Sequence, residues 1–171
     1  MHNVNVDALA TTTEKARENP GSVRQQVAFD GDWQTDSGRP QFRATIPFPN
    51  GETIFEADFP PPMGGSGAAP NPLAYCFWGG LACYAMTYAQ EAARQGIELR
   101  RLRGRVSTVV DQSRALGVTD NAPVERIDWH LEVEADAPPE KLEELKQLAD
   151  QHCPGVWCVR TPVELATHLD G

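Results

Sequence analysis

The segment from Pro72 to Gln95, PLAYCFWGGLACYAMTYAQEAARQ, constrains this chain more than any other stretch. Asn71 is placed to cap its start, Pro72 suits the first helical position, and Gly96 is a C-terminal stop. A helix of this length spans roughly 36 Å at ~1.5 Å per residue, the width of a whole domain. Its first three turns are apolar nearly all round, which predicts burial of that half. The far half, from Gln90 to Gln95, carries Glu91 and Arg94 and reads as wetter. Gly79-Gly80 in mid-helix costs about 1 kcal/mol per residue against alanine. Such a pair is expected where another backbone comes close, and a second crossing helix, from this chain or a partner subunit, is the natural candidate.

The remaining segments are organised around this helix. Residues 6–18 read as a short helix with Asp7 at its cap, ended by Asn19-Pro20-Gly21. Three strand-like runs follow, Val23–Trp33, Phe42–Phe48 and Thr53–Phe59, with turn chemistry at residues 35–38 and at Pro49-Asn50-Gly51. Pro60 to Pro70, PPPMGGSGAAP, suits neither strand nor helix. It reads either as a plain linker or as the wall of a site. Beyond Gly96 the period becomes two. Leu102, Val106 and Val110 share one face, with Arg101, Arg103 and Arg105 opposite. Ile127, Trp129, Leu131 and Val133 share another, backed by Glu132 and Glu134. If these strands are neighbours, the arginine row meets the acidic row across a solvated sheet face. Residues 138–152 return to helical spacing, and Val163, Leu165, Thr167 and Leu169 alternate as a closing strand. The order βββ-α-ββ-α-β is an α+β arrangement of antiparallel sheets and helices. Residues 1–22 form an N-terminal helical extension to a domain over 23–171.

Composition narrows the function classes. The 171-residue chain is long enough for one domain with its own core. Fifteen basic against 24 acidic residues, a net charge of −9, argues against nucleic acid or anionic membrane as partner. No stretch approaches the roughly 18 apolar residues of a membrane span, and the N-terminus has no secretory pattern. A cytoplasmic location is expected, where free thiols are the default. The four cysteines are Cys76, Cys83, Cys153 and Cys158. Their spacing supports no metal site, and no cofactor motif, nucleophile elbow or phosphate loop is present. Cys76 and Cys158 read as packing residues, His130 and His168 as surface residues. Cys83 lies within the long helix, whereas Cys153 is followed at once by Pro154. The latter suits the cap of a short helix, where backbone N–H groups favour a thiolate. Cys83 has no such help from its own helix.

Residues 71–83, NPLAYCFWGGLAC, and 152–154, HCP, together resemble the OsmC/Ohr superfamily of osmotically inducible protein C and organic hydroperoxide resistance proteins. In that family a reactive cysteine lies eleven positions after the helix-start proline, as Cys83 does after Pro72. The second cysteine opens a C-P dipeptide near the C-terminus, as Cys153 does. The resemblance implies an OsmC-like fold, with antiparallel sheets packed around the long central helix, and an intertwined homodimer. It further implies a thiol-dependent peroxidase for organic, fatty-acyl type hydroperoxides. Cys83 would become the sulfenate, Cys153 would condense with it, and a lipoyl-type or small-thiol reductant would reopen the disulfide. The family activates its cysteine with an arginine from the N-terminal strands, for which Arg39 is the favoured candidate and Arg43 the other. It also uses a glutamate directly after the helix-start proline, where this chain has Leu73. That departure predicts a less activated cysteine and leaves a second reading open. In it, the chain is a non-catalytic OsmC-like protein that binds an apolar small molecule or responds to redox state.

Overall fold

Asn71 Oδ1 accepts a hydrogen bond from the Leu73 backbone N–H at 2.9 Å, and a 23-residue helix, α2 (Pro72–Arg94), begins there. It ends where Gly96 takes φ 69°, a left-handed conformation open to glycine without strain. The computed structural model describes residues 3–170. Before α2 come α1 (Val6–Glu18), β1 (Gly31–Trp33), β2 (Phe42–Phe48) and β3 (Gly51–Ala57). After it come β4 (Leu99–Thr108), β5 (Ile127–Ala135), α3 (Pro139–His152) and α4 (Pro154–Arg160). The chain divides into two compact units, Ala8–Phe77 and Trp78–Gly171 with Met1–Asp7.

In the Ala8–Phe77 unit the strands form an antiparallel sheet in the order β1-β2-β3. The β2–β3 register runs from Phe42↔Ala57 to Phe48↔Gly51, closed by the Pro49-Asn50 turn. The first strand is much shorter than the alternation over 23–33 suggests. Only Gly31–Trp33 pairs with β2, and Val27 and Phe29 are exposed. A period-two pattern makes a strand only where a partner edge accepts its hydrogen bonds. The Gly/Pro-rich segment after β3 is fixed rather than a plain linker. Asp58 is buried, and its Oδ2 accepts from Ser66 Oγ at 2.6 Å, Ala68 N–H at 2.9 Å and Ser66 N–H at 3.1 Å. The Ser66 hydroxyl, with these N–H groups, holds the Asp58 carboxyl below its ordinary range. A Cβ on Gly65 would fall 2.0 Å from the Phe59 carbonyl oxygen, so the turn requires glycine there.

In the other unit β4 and β5 form an antiparallel hairpin, with Leu102↔Val133, Gly104↔Leu131 and Val106↔Trp129. On its outer face the arginine and acidic rows meet as expected. Arg101 lies 3.2 Å from Glu134, and Arg103 4.0 Å from Glu132. These pairs are exposed and add little stability. The inner face packs on α2, where the Tyr84 and Trp129 ring centroids are 5.8 Å apart. The buried core joins Tyr84, Tyr88 and Ala92 of α2, Leu145 and Ala149 of α3, and Cys153 and Val156. Tyr88 also donates its hydroxyl to the Leu142 carbonyl at 3.2 Å.

Three expectations are corrected here. The buried half of α2 is the far one, with Thr87, Tyr88, Glu91, Ala92 and Ala93, whereas apolar Trp78 is 59% exposed. Burial follows where α3 and the hairpin pack, which hydropathy along one helix does not encode. The close approach at Gly80 is an indole, not a second helix: an added Cβ would lie 2.5 Å from Trp129 Cζ2. Beside Gly79 the space is open. Finally, residues 162–170 form no strand, neither sheet takes them up, and Val163, Leu165 and Leu169 are exposed.

The Gly80 contact sets a testable expectation. Gly80→Ala gains about 1 kcal/mol of helix propensity but drives a methyl into Trp129, an overpacking cost of about 1–3 kcal/mol. Net destabilisation is expected in urea unfolding, with Gly79→Ala neutral or stabilising. An equal gain from both substitutions would show that Trp129 yields freely.

Candidate functional site

Cys153 sits at a break between two helices. Its N–H donates to the Ala149 carbonyl at 3.0 Å and so ends α3, while its own carbonyl accepts from the Trp157 N–H at 3.1 Å and starts α4. Its φ of −73° and ψ of 117° are the extended values that a following proline enforces. The side chain therefore turns inward, 1% exposed, between Tyr84, Leu145 and Ala149. There it meets the thiol of α2. Cys153 Sγ donates to Cys83 Sγ at 3.5 Å, although 70 residues separate the two. Both are free thiols in contact. Closing a disulfide requires the sulfurs to reach about 2.05 Å, a movement of ~1.5 Å.

Gly155 makes this contact possible. A Cβ there would stand 3.1 Å from Cys83 Cβ, 3.4 Å from Cys83 Sγ and 3.5 Å from Cys153 Sγ. A first side-chain carbon here would crowd Cys83 Cβ and just touch both sulfurs, and a larger side chain would press into them. Its signal in the sequence is faint, a glycine directly after Cys-Pro.

The electrostatics differ from the sequence-based expectation. The Gly155 backbone N–H at the start of α4 favours the Cys83 thiolate, so the start of the short helix helps the thiol that gets none from its own helix. Burial is the larger effect and pushes the Cys83 thiol above its ordinary range, while the Gly155 N–H opposes it. The neighbouring Cys153 and Cys158 add to the upward push. Nearby, burial and the Asp150 carboxylate hold the Tyr84 phenol well above its usual value.

The two other cysteines are both exposed, not packing residues as their apolar neighbours suggest. Arg39 and Arg43 belong to the Ala8–Phe77 unit. There Arg39 Nε lies 3.7 Å from Asp36 and Arg43 Nε 3.6 Å from Glu56. A groove of about 430 Å³ runs beside Cys83, lined by Trp78, Gly79, Met86, Thr87 and Pro154 among others. Its walls are mainly apolar and open at the surface, a shape that admits an apolar molecule to the thiol. Glu91, 6% exposed on α2, accepts from or donates to His152 Nδ1 at 3.0 Å, according to which atom holds the proton. Nothing in the sequence marks that pair, since Glu91 lies where the helix looks wet. Among the described residues no cluster of three or more His, Cys, Asp or Glu side chains suits a metal ion.

The family model for OsmC-like proteins matches residues 64–168, which include both thiols of this contact. The chain belongs to the OsmC-like family. Solved structures of similar fold include an OsmC-like protein from Mycoplasma pneumoniae, with a TM-score of 0.62, 16% identity, and coverage of 81% of this chain and 89% of the other. A Legionella pneumophila protein described as an organic hydroperoxide resistance protein OsmC and predicted redox protein has a TM-score of 0.57 and 18% identity. It covers 80% of this chain and 92% of its own. A Psychrobacter arcticus protein, described as a putative osmotic stress induced and detoxification response protein, has a TM-score of 0.59 and 16% identity, covering 78% and 88%. Among curated protein sequences none matches this chain. The OsmC-like α+β fold with antiparallel sheets thus stands as the resemblance implies. No helix among the described residues is long and apolar enough to cross a membrane.

Proposed function

We propose that this protein is a thiol-dependent peroxidase that reduces organic, fatty-acyl type hydroperoxides. The observation that carries this reading is the 3.5 Å contact between Cys83 and Cys153, one thiol beside an apolar groove and the other buried behind it. The Cys83 thiolate attacks the distal peroxide oxygen. An S–O bond forms, the O–O bond breaks, and the alkoxide leaves to take up a proton as the alcohol. Cys153 then attacks the Cys83 sulfenic sulfur, an S–S bond forms, and hydroxide leaves as water. A lipoyl-type or small-thiol reductant reopens the disulfide by two exchange steps and is itself oxidised. Neither the attack on peroxide nor the closing of the disulfide asks for a metal or an organic cofactor.

Burial pushes the Cys83 thiol up, so a cation is needed to make it nucleophilic near neutral pH. The family pattern assigns that role to Arg39, with Arg43 as the other candidate. Since Leu73 stands where the family has glutamate, α2 offers the guanidinium no carboxylate there, and the carboxylates beside Arg39 and Arg43 are Asp36 and Glu56 instead. Turnover should therefore rise with pH through and above the ordinary thiol range. The raised thiol also favours the second reading, a non-catalytic protein that holds an apolar molecule in the groove or reports redox state.

The deciding experiment is consumption of cumene hydroperoxide with dihydrolipoamide as reductant. Wild type is expected to turn over, Cys83→Ser to lose activity entirely, and Cys153→Ser to stop after one turnover with a sulfenate that dimedone traps. No consumption by folded wild type at pH 7 to 9 would leave only the second reading. We also take the protein to work as a homodimer. Trp78 and Met86, 59% and 65% exposed, leave apolar surface on α2 that a second copy would cover. Light scattering at micromolar concentration is expected to give twice the chain mass; a monodisperse monomer sinks that claim.

A further inference from the structure

We propose that the Glu91–His152 pair is a positioning device that holds Cys153 against Cys83 and so sets how readily the two thiols form a disulfide. It deepens the peroxidase reading but needs no peroxide for its test. Glu91 stands eight residues after Cys83 on α2 and is 6% exposed. A carboxylate so buried is held there by its partners. They are Arg94 Nη1 at 3.5 Å, from its own helix, and His152 Nδ1 at 3.0 Å, from the last residue of α3. The peptide bond after His152 leads directly into Cys153. A closed path therefore runs from Cys83 down α2 to Glu91, across to His152, through one peptide to Cys153, and back across 3.5 Å of sulfur contact.

Other contacts seat α3, and this separates the pair's role from folding. Leu145 and Ala149 are fully buried in the core, and Tyr88 holds the Leu142 carbonyl. His152 itself has a side chain 49% exposed, so it contributes little to the core. Its contact with Glu91 lies where it restrains the residue that must meet Cys83. Without it, the end of α3 keeps its helix but gains freedom at the thiol. Two groups in enforced contact react as if at very high local concentration, and a misplacement of ~1 Å costs about 10²-fold.

The test equilibrates the intact protein with mixtures of reduced and oxidised glutathione. The two protein thiols give up two electrons to form the S–S bond, and glutathione disulfide takes them up with two protons as two thiols. The Cys83–Cys153 disulfide is quantified by mass after alkylation, for wild type, His152→Ala, Glu91→Leu and Glu91→Gln. In His152→Ala and Glu91→Leu the equilibrium is expected to shift against the protein disulfide by about tenfold, or ~30 mV for a two-electron couple. Glu91→Gln keeps an oxygen facing His152 and is expected to stay within about threefold of wild type. Should Glu91→Leu fail to fold, His152→Ala at a half-exposed position decides. An unchanged equilibrium in folded His152→Ala overturns the proposal, as does a shift no smaller in Glu91→Gln than in Glu91→Leu. A shifted equilibrium with no hydroperoxide turnover would sink the peroxidase reading alone. Turnover with an unshifted equilibrium would sink this inference alone.

Discussion

Leu145→Ala is expected to destabilise the fold by about 2–5 kcal/mol, the range for a leucine removed from a well-packed core. Leu145 is 0% exposed and stands in one buried cluster with Tyr84, Tyr88, Ala149 and Cys153. The two tyrosine rings bordering the space are rigid, so the neighbours collapse poorly into the cavity and the cost should fall in the upper part of that range. At roughly 2–4 °C per kcal/mol for a domain of this size, the melting temperature should drop by ~10 °C or more. Urea unfolding with an unchanged slope would attribute the loss to the native state. A cost below about 1 kcal/mol would mean that α3 is not seated by this leucine.

Local pattern carried much of the fold. The alternation Phe42, Ala44, Ile46, Phe48 marks β2 to the residue and Pro49-Asn50-Gly51 fixes the hairpin, although Phe42 and Phe48 stay exposed. Asn71, Pro72 and Gly96 bracket α2 because each satisfies a backbone requirement that its neighbours cannot. The arginine and acidic rows paired for the same kind of reason, a register set by the apolar face behind them. What pattern could not carry was which surface meets which. Glu91 is acidic yet buried, because its partners sit on α3 and one turn further along α2. Residues 163–169 alternate but find no edge, so their spacing has nothing to order it.

The site divides along the same line. Seventy residues of separation give no local reason for Cys83 and Cys153 to meet, and the expectation rested on the family pattern. The helix break at Cys153 was legible, since Pro154 requires an extended residue before it. The destination of the freed N–H was not. The Gly155 N–H favours the Cys83 thiolate, because the first turn of α4 comes against α2 at Cys83.

Gly155 therefore offers the sharpest test of the site. Gly155→Ala places a methyl 3.1 Å from Cys83 Cβ, a tight contact offset by about 1 kcal/mol of helix propensity, so its stability should change little. Gly155→Val adds two further carbons where both sulfurs already lie within 3.5 Å of the first. The start of α4 must then lift from α2, carrying Cys153 away from Cys83. Movement of ~1 Å is enough to slow reaction between the two thiols by about 10²-fold. The same movement takes the Gly155 N–H from Cys83, so that thiol should titrate still higher than in the wild type. The measurements are the rate at which both free thiols disappear after one equivalent of oxidant, and the pH at which Cys83 ionises. Folded Gly155→Val protein with both values unchanged would mean that α4 does not set the thiol contact, and that the bare backbone at this position serves packing alone.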